Sequence, residues 1–261
     1  MTELKFRFRT EVEFSAPVRR HVFSLHCLPM EDEVQRLEAY AVTLEPTAGY
    51  GLRRDGFGGW LVCGSCQEPH TKFVYASQGI VRVDLARPAP ADRMNPVLRY
   101  PTVLTQPGGA VRELWAQLPL AGQSPRAQAE LLCRAAADAL TYTPGVTGNA
   151  TTAEEALKLG QGVCQDYTHL LLALARLSGF GARYCMGLIP GEGATHAWAE
   201  LALPEGWVGY DPTHSREAGE TAVRFAVGRD AADCPAERGV FCGQAAQTMQ
   251  VKMQLRERSY Q

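Results

Sequence analysis

Gly162-Val163-Cys164-Gln165-Asp166 runs directly into the apolar stretch Leu170-Leu171-Leu172-Ala173-Leu174-Ala175, so a thiol stands where a loop becomes a buried helix. The amide N–H groups and the dipole at a helix N-terminus favour an anion, and a cysteine placed there holds more of its reactive thiolate form. The pattern predicts a helix from about Cys164 to the Ser178-Gly179 pair, with glycine in the terminating position. Its centre is apolar nearly all round, which predicts burial between other elements. A helix fixed in that way holds a nucleophile still.

Two further residues stand in contexts that matter to a thiol. His196 lies in Ala194-Thr195-His196-Ala197-Trp198, and Asp211 in Gly209-Tyr210-Asp211-Pro212-Thr213. Residues 182–189, 195–203 and 207–210 are rich in β-formers and bounded by Gly or Pro, and they read as three strands. His196 opens one strand and Asp211 closes the next. If the two pair as an antiparallel hairpin around Pro204-Glu205-Gly206, imidazole and carboxylate meet. Taken singly, each residue fits a structural role, because buried cysteines are often inert, a lone histidine usually serves packing, and Asp-Pro commonly opens a turn. Taken together they supply a nucleophile, a base and an orienting acid, a set defined by geometry rather than by sequence order.

At this point the chain resembles a known family. Gly-Val-Cys-Gln-Asp-Tyr-Thr-His-Leu at 162–170, Gly-Ala-Arg-Tyr at 181–184, His-Ala-Trp-Ala-Glu at 196–200 and Gly-Trp-Val-Gly-Tyr-Asp-Pro-Thr at 206–213 resemble the bacterial transglutaminase-like superfamily. The likeness continues in Val227-Gly228-Arg229-Asp230-Ala231-Ala232-Asp233 and Arg238-Gly239-Val240. Upstream it includes Asp55-Gly56-Phe57-Gly58-Gly59 and Glu68-Pro69-His70. Gly59 departs from the pattern, which usually has asparagine there. The resemblance implies an α+β fold: a papain-like transglutaminase core, with helices packed on an antiparallel sheet, preceded by a β-rich N-terminal module. It also implies Cys164 as nucleophile, His196 as base and Asp211 as orienter.

Composition sets outer bounds. A chain of 261 residues with 46% hydrophobic content can bury one large core or two modest ones. A formal charge of -2 gives no basic field, so nucleic acid is not an expected partner. The opening residues lack an apolar targeting core and no stretch is long enough to span a bilayer, so a cytoplasmic location with no membrane partner is expected. In such a compartment the eight cysteines are expected to be free thiols.

Residues 5–14, 21–28, 35–44 and 72–85 are short β-prone runs, and 50–59 is a glycine-rich turn region. Strands punctuated by turns predict an antiparallel, sandwich-like module. Pro88, Pro90, Pro96, Pro101 and Pro107, with Gly108-Gly109, break regular structure and lead into a linker. We therefore expect a β-rich N-terminal domain over 1–110 and a catalytic domain over 111–261. In the latter, Ser124-Pro125 opens a helix whose apolar spacing continues through Thr141, and Thr151-Thr152 caps a shorter one over 153–159. Residues 247–256 alternate by twos, as a half-exposed strand does.

The remaining chemistry-bearing residues are weighed in the same way. Cys63-Gly64-Ser65-Cys66 with His70 nearby resembles half a zinc site, but Cys234 and Cys242, separated by seven residues, do not supply the other half. These thiols are expected to be inert. His169 is about 140° round an ideal helix from Cys164, so a structural role is expected. Asp166 is read as structural in the first helical turn. Trp198 shares the strand face of His196 and either walls the cleft or packs in the core. His214, three residues after Asp211, lies close enough to line the cleft. Tyr142 and Asn149 are candidates for the second oxyanion donor, the first being the Cys164 backbone N–H.

The expected chemistry is acyl transfer on an amide or peptide substrate through a thioester, with no metal and no organic cofactor. Hydrolysis is favoured over crosslinking, because crosslinking needs an amine channel that the sequence does not reveal. Amine transfer, and a catalytically silent peptide-binding member, are the alternatives.

Overall fold

Polar and apolar residues alternate along the first strand with a period of two, and the computed structural model of the chain shows what that alternation builds. It describes residues 2–84, 88–91, 94–191, 193–218 and 222–257. Strand β1 (Thr2–Leu25) buries Leu4, Phe6, Phe8, Thr10, Val12 and Phe14, while Lys5, Arg7, Arg9 and Glu13 face outward. It is the spine of the N-terminal sheet, which runs in the order β2 (Gln35–Glu45), β5 (His70–Val83), β1, β4 (Trp60–Cys66), β3 (Tyr50–Arg54). Register breaks against β5 between Glu13 and Val18, so the two halves of β1 serve different neighbours and the sheet curls.

Two expectations are corrected here. The glycine-rich region is not all turn, because Tyr50–Arg54 forms edge strand β3 against β4. The turn is confined to residues 55–59, where Asp55 Oδ1 accepts hydrogen bonds from the amides of Phe57 (2.7 Å) and Gly59 (2.8 Å). The run over 72–85 is strand to Val83, and its last residue, 85, lies outside the described residues.

The expected linker contains a helix, α1 (Gly109–Ala116). Its cap is non-local: Glu154 of the later helix α3 (Ala153–Leu159) accepts from the amides of Ala110 (3.0 Å) and Val111 (3.1 Å). Gly108 is needed for this, since a Cβ there would sit 2.4 Å from Glu154. Helix α2 (Pro125–Asp138) ends three residues earlier than its apolar spacing suggests, because Thr141 enters β6 (Thr141–Tyr142). That strand pairs in parallel with β7 (Gln161–Gly162).

Helix α4 (Cys164–Leu177) fills the centre of the C-terminal half. Leu170, Leu171, Leu172 and Leu174 are fully buried, each contributing about 1.5–3 kcal/mol through removal from water. Helices α1, α2 and α3 pack on it, as do two strands of the second sheet. That sheet is antiparallel, in the order β11 (Arg216–Glu217), β10 (Gly206–Asp211), β9 (His196–Leu203), β8 (Ala182–Leu188), β12 (Val223–Gly228). The far end of α4 is tied down by buried Arg176, whose guanidinium donates to Thr105 Oγ1 (2.6 Å), Ala182 O (3.0 Å) and Arg229 O (2.6 Å).

The sequence then returns to its beginning. Strands β13 (Glu237–Cys242) and β14 (Gln247–Glu257) both pair with β1, the latter from Leu4↔Glu257 to Phe14↔Gln247. Residues after the 110/111 boundary thus complete the sheet begun before it. The architecture is the expected α+β arrangement of helices on an antiparallel sheet with a β-rich N-terminal part. Among the described residues no helix is long and apolar enough to cross a membrane, and all eight cysteines are free.

Candidate active site

Val163 is the last extended residue before α4, so Cys164 occupies the first helical position. Asp166 fixes that start: its Oδ2 accepts from the Val163 amide (2.8 Å) and from Thr147 Oγ1 (2.6 Å). The carboxylate can fold back only because residue 162 is glycine, where a Cβ would lie 2.6 Å from the Asp166 Cβ. Asp166 is therefore structural, as its position in the first turn suggests.

The hairpin forms around the expected turn, with Gly206 opposite Leu203 and Tyr210 opposite Ala199. Continued by one residue, this register sets Asp211 opposite Trp198, diagonal to His196 on the same face, within reach of long side chains. His196 Nε2 lies 3.0 Å from Asp211 Oδ2, and both side chains are buried. Nε2 nevertheless has no aligned hydrogen-bond partner, so the approach is one of charge and proximity. The same imidazole contacts the Cys164 thiol. Burial alone would depress its pKa, but Asp211 and Cys164 outweigh that and raise it to about 9. Burial likewise opposes ionisation of Asp211, yet contact with His196 and His214 holds its carboxyl below the ordinary value.

His214 is a fuller participant than its spacing revealed. Its Nδ1 lies 2.7 Å from Asp211 Oδ2, and its ring centroid is 5.4 Å from that of His196. Asp211 Oδ1 accepts from the Thr213 amide at 3.1 Å, leaving Oδ2 to face both histidines. Ser215 takes a left-handed conformation (φ 51°) that turns the chain into β11, a feature no residue pattern announced.

The other candidates separate from this cluster. His169 is fully buried in α4, with Nε2 accepting from the Ala231 amide (3.2 Å), and burial lowers its pKa to about 4. Trp198 packs in the core with Met30, Cys185 and Val227 rather than walling a cleft. Tyr142, on β6, pairs with Gly162 two residues before the thiol, while Asn149 is exposed in a turn. Cys63 and Cys66 engage Ser24 Oγ and Pro46 O respectively, on strand β4. Among the described residues the group with metal-ligand spacing is instead His196, Asp211 and His214.

Comparison with known proteins bears on the fold and the family. The chain is 29% identical over 224 residues to an uncharacterised protein of Mycobacterium leprae, covering 77% of this chain and 79% of that one. It is 29% identical over 272 residues to an uncharacterised protein of Mycobacterium tuberculosis, covering 89% and 85%. A solved structure from Cytophaga hutchinsonii, described provisionally as a cysteine protease, shares the fold with a TM-score of 0.81 at 19% identity, over 100% of this chain and 92% of that one. Residues 4–82 match the Bacterial transglutaminase-like N-terminal region, and residues 113–212 match the Transglutaminase-like superfamily. With strands β2 to β4, most of β1 and β5, the central helix and strands β8 to β10 inside these two matches, the chain belongs to the transglutaminase-like superfamily, whose members are typically cysteine-dependent enzymes.

Proposed function

We propose that this protein is a cysteine-dependent acyl-transfer enzyme that cleaves amide or peptide bonds through a thioester, with Cys164, His196 and Asp211 as its triad. The observation that carries the reading is the position of the His196 imidazole, held between the Asp211 carboxylate and the Cys164 thiol and retaining its proton to about pH 9. A base of that strength takes the thiol proton and keeps it ready for delivery.

The Cys164 sulfur attacks the carbonyl carbon and the C=O electron pair moves to oxygen. The oxyanion is met by the backbone N–H of Cys164, one of the helix-start donors that lack an intrahelical acceptor. The tetrahedral species collapses, the C–N bond breaks, and His196 gives its proton to the departing amine. Water then attacks the thioester with His196 as base, releasing acid and restoring the thiol. Throughout, Asp211 stabilises the imidazolium and fixes the ring orientation.

A peptide and amide library, assayed with and without a primary amine and read by mass spectrometry, tests this. Free acid is expected as the main product, with amines accelerating turnover weakly and without saturation. Saturable amine dependence with coupled amide dominant would make the protein a crosslinking transferase instead, since an amine prevails over water only when bound near the thioester. Peptide binding without turnover would make it a silent binding module.

A further inference from the structure

We propose that His196, Asp211 and His214 form a site for a zinc-class divalent cation that closes the cleft reversibly. One ligand atom from each of the three residues lies within 4.8 Å of the others. Asp211 Oδ2 is 3.0 Å from His196 Nε2 and 2.7 Å from His214 Nδ1. A tetrahedral zinc ion with bonds of about 2.0–2.2 Å sets its ligand atoms about 3.4 Å apart, so the two contacts to Asp211 open by roughly half an ångström while the two ring nitrogens, within 4.8 Å of each other, adjust to the same spacing.

A second observation points the same way. His196 Nε2 is buried and lacks an aligned hydrogen-bond partner although a carboxylate oxygen is 3.0 Å away. An ion placed there gives Nε2 the partner it lacks, while Asp211 already has one for each oxygen. Asp211 is prepared for a single coordinate bond: the Thr213 amide holds Oδ1 and leaves Oδ2 for the metal. Entry is available at His214, whose side chain is 37% exposed while those of His196 and Asp211 are buried.

The donor set selects the ion. Two imidazoles and one carboxylate suit zinc, whereas calcium and magnesium need six or more oxygens and magnesium keeps its waters. Such an ion is a brake and not a cofactor, because it occupies His196 and Asp211, the base and the orienter of the proposed chemistry. That consequence rests on the functional reading above, but the binding step does not. His214 has no step in that chemistry, and its addition turns a triad into a coordination sphere.

Zinc alone, titrated into the chelator-treated full chain against a chromophoric chelator, tests the site. One ion per chain is expected, with affinity reduced at least tenfold in His214→Ala and in His196→Ala and unchanged by a thousandfold excess of calcium. Undiminished affinity in both variants, or loss only in Cys63→Ser, would overturn the proposal. Should either variant fail to fold, X-ray absorption on the zinc-loaded wild type decides: imidazole nitrogen and oxygen at about 2.0–2.2 Å supports the site, and a shell of thiolates only overturns it. Zinc binding with that shell of nitrogen and oxygen but no amide turnover would leave the site standing and remove the enzymatic reading. Amide turnover with no zinc binding would do the reverse.

Discussion

Asp211 Oδ2 lies 2.7 Å from His214 Nδ1, closer than its 3.0 Å approach to His196. The carboxylate is thus shared, and its charge is divided between a buried imidazole and a half-exposed one. Removing His214 leaves the whole charge to His196. His214→Ala is expected to move the alkaline limb of the pH–rate profile upward from about 9 and to change kcat less than about tenfold, against the 10²–10⁴-fold typical of losing a general acid or base. A loss of several orders of magnitude would place His214 in the chemistry itself.

Asp211→Asn should cost far more. By analogy with the roughly 10⁴-fold loss for that change in a serine-protease triad, an amide can hold the wrong tautomer of the imidazole. It also tests a stability linkage. Folded His196 keeps its proton to about pH 9 against an ordinary 6.5, so this contribution is full below pH 6.5 and is lost as pH rises through 9. Urea midpoints between those pH values should fall for the wild type and stay flatter for Asp211→Asn. Parallel slopes would show that Asp211 does not set the His196 proton affinity.

Thiol reactivity separates the cysteines. Burial pushes Cys27 and Cys133 up to about 12 and raises Cys66, Cys185 and Cys234. Iodoacetamide at neutral pH should label Cys164 before the other seven, the exposed Cys242 being its main rival. Peptide mapping of a timed reaction reads the order. First labelling at any other position would remove Cys164 as the activated nucleophile, and Cys164→Ala should abolish turnover with the fold intact.

Glu200 supports the strand that carries His196. It is buried on β9, accepts from Arg183 Nε (2.8 Å), lies 3.5 Å from Arg224 Nη1, and is held below the usual carboxylate range despite its burial. Glu200→Gln leaves Arg183 without its carboxylate while Arg224 keeps Asp32 at 2.8 Å, which should destabilise the fold by about 3 kcal/mol. The native contribution is present above pH 4.5 and lost as pH falls below it. Urea denaturation at pH 7 and pH 4 checks both; an unchanged midpoint at pH 7 would make the cluster energetically neutral.

The site was legible where its geometry is local or follows from a short hairpin. Helix α4 begins at Cys164 because the apolar run and its flanking residues say so, and a two-residue turn at Pro204-Glu205 brings His196 to Asp211 with little freedom. His214 was legible as a residue near the cleft but not as a partner of Asp211, since its direction depends on a turn whose torsions leave no residue pattern. Helix α1 escaped notice because its N-terminal amides are capped by Glu154, far along the chain. Strands β3 and β13 lie at edges, where glycine and arginine mask the alternation that made β1 and β14 readable. Trp198 shares the His196 face as expected, yet Met30 and Cys185 cover it, a neighbourhood fixed only by the tertiary fold.

The pairing of β1 with β14 also has a temporal side. Residues 2–14 leave the ribosome long before their hydrogen-bonding partners, residues 247–257. Until β14 emerges, β1 therefore has one open edge, the kind that invites pairing with other chains. Its outward Lys5, Arg7 and Arg9 place a run of like charge along that edge and discourage such encounters while the strand waits. Because Met253 of β14 also donates its amide to Gly193 O, in the loop leading to His196, the same late-docking strand anchors the approach to the imidazole. The loop that leads to the imidazole is thereby tied to the last strand of the first sheet, so the two halves of the fold meet beside His196.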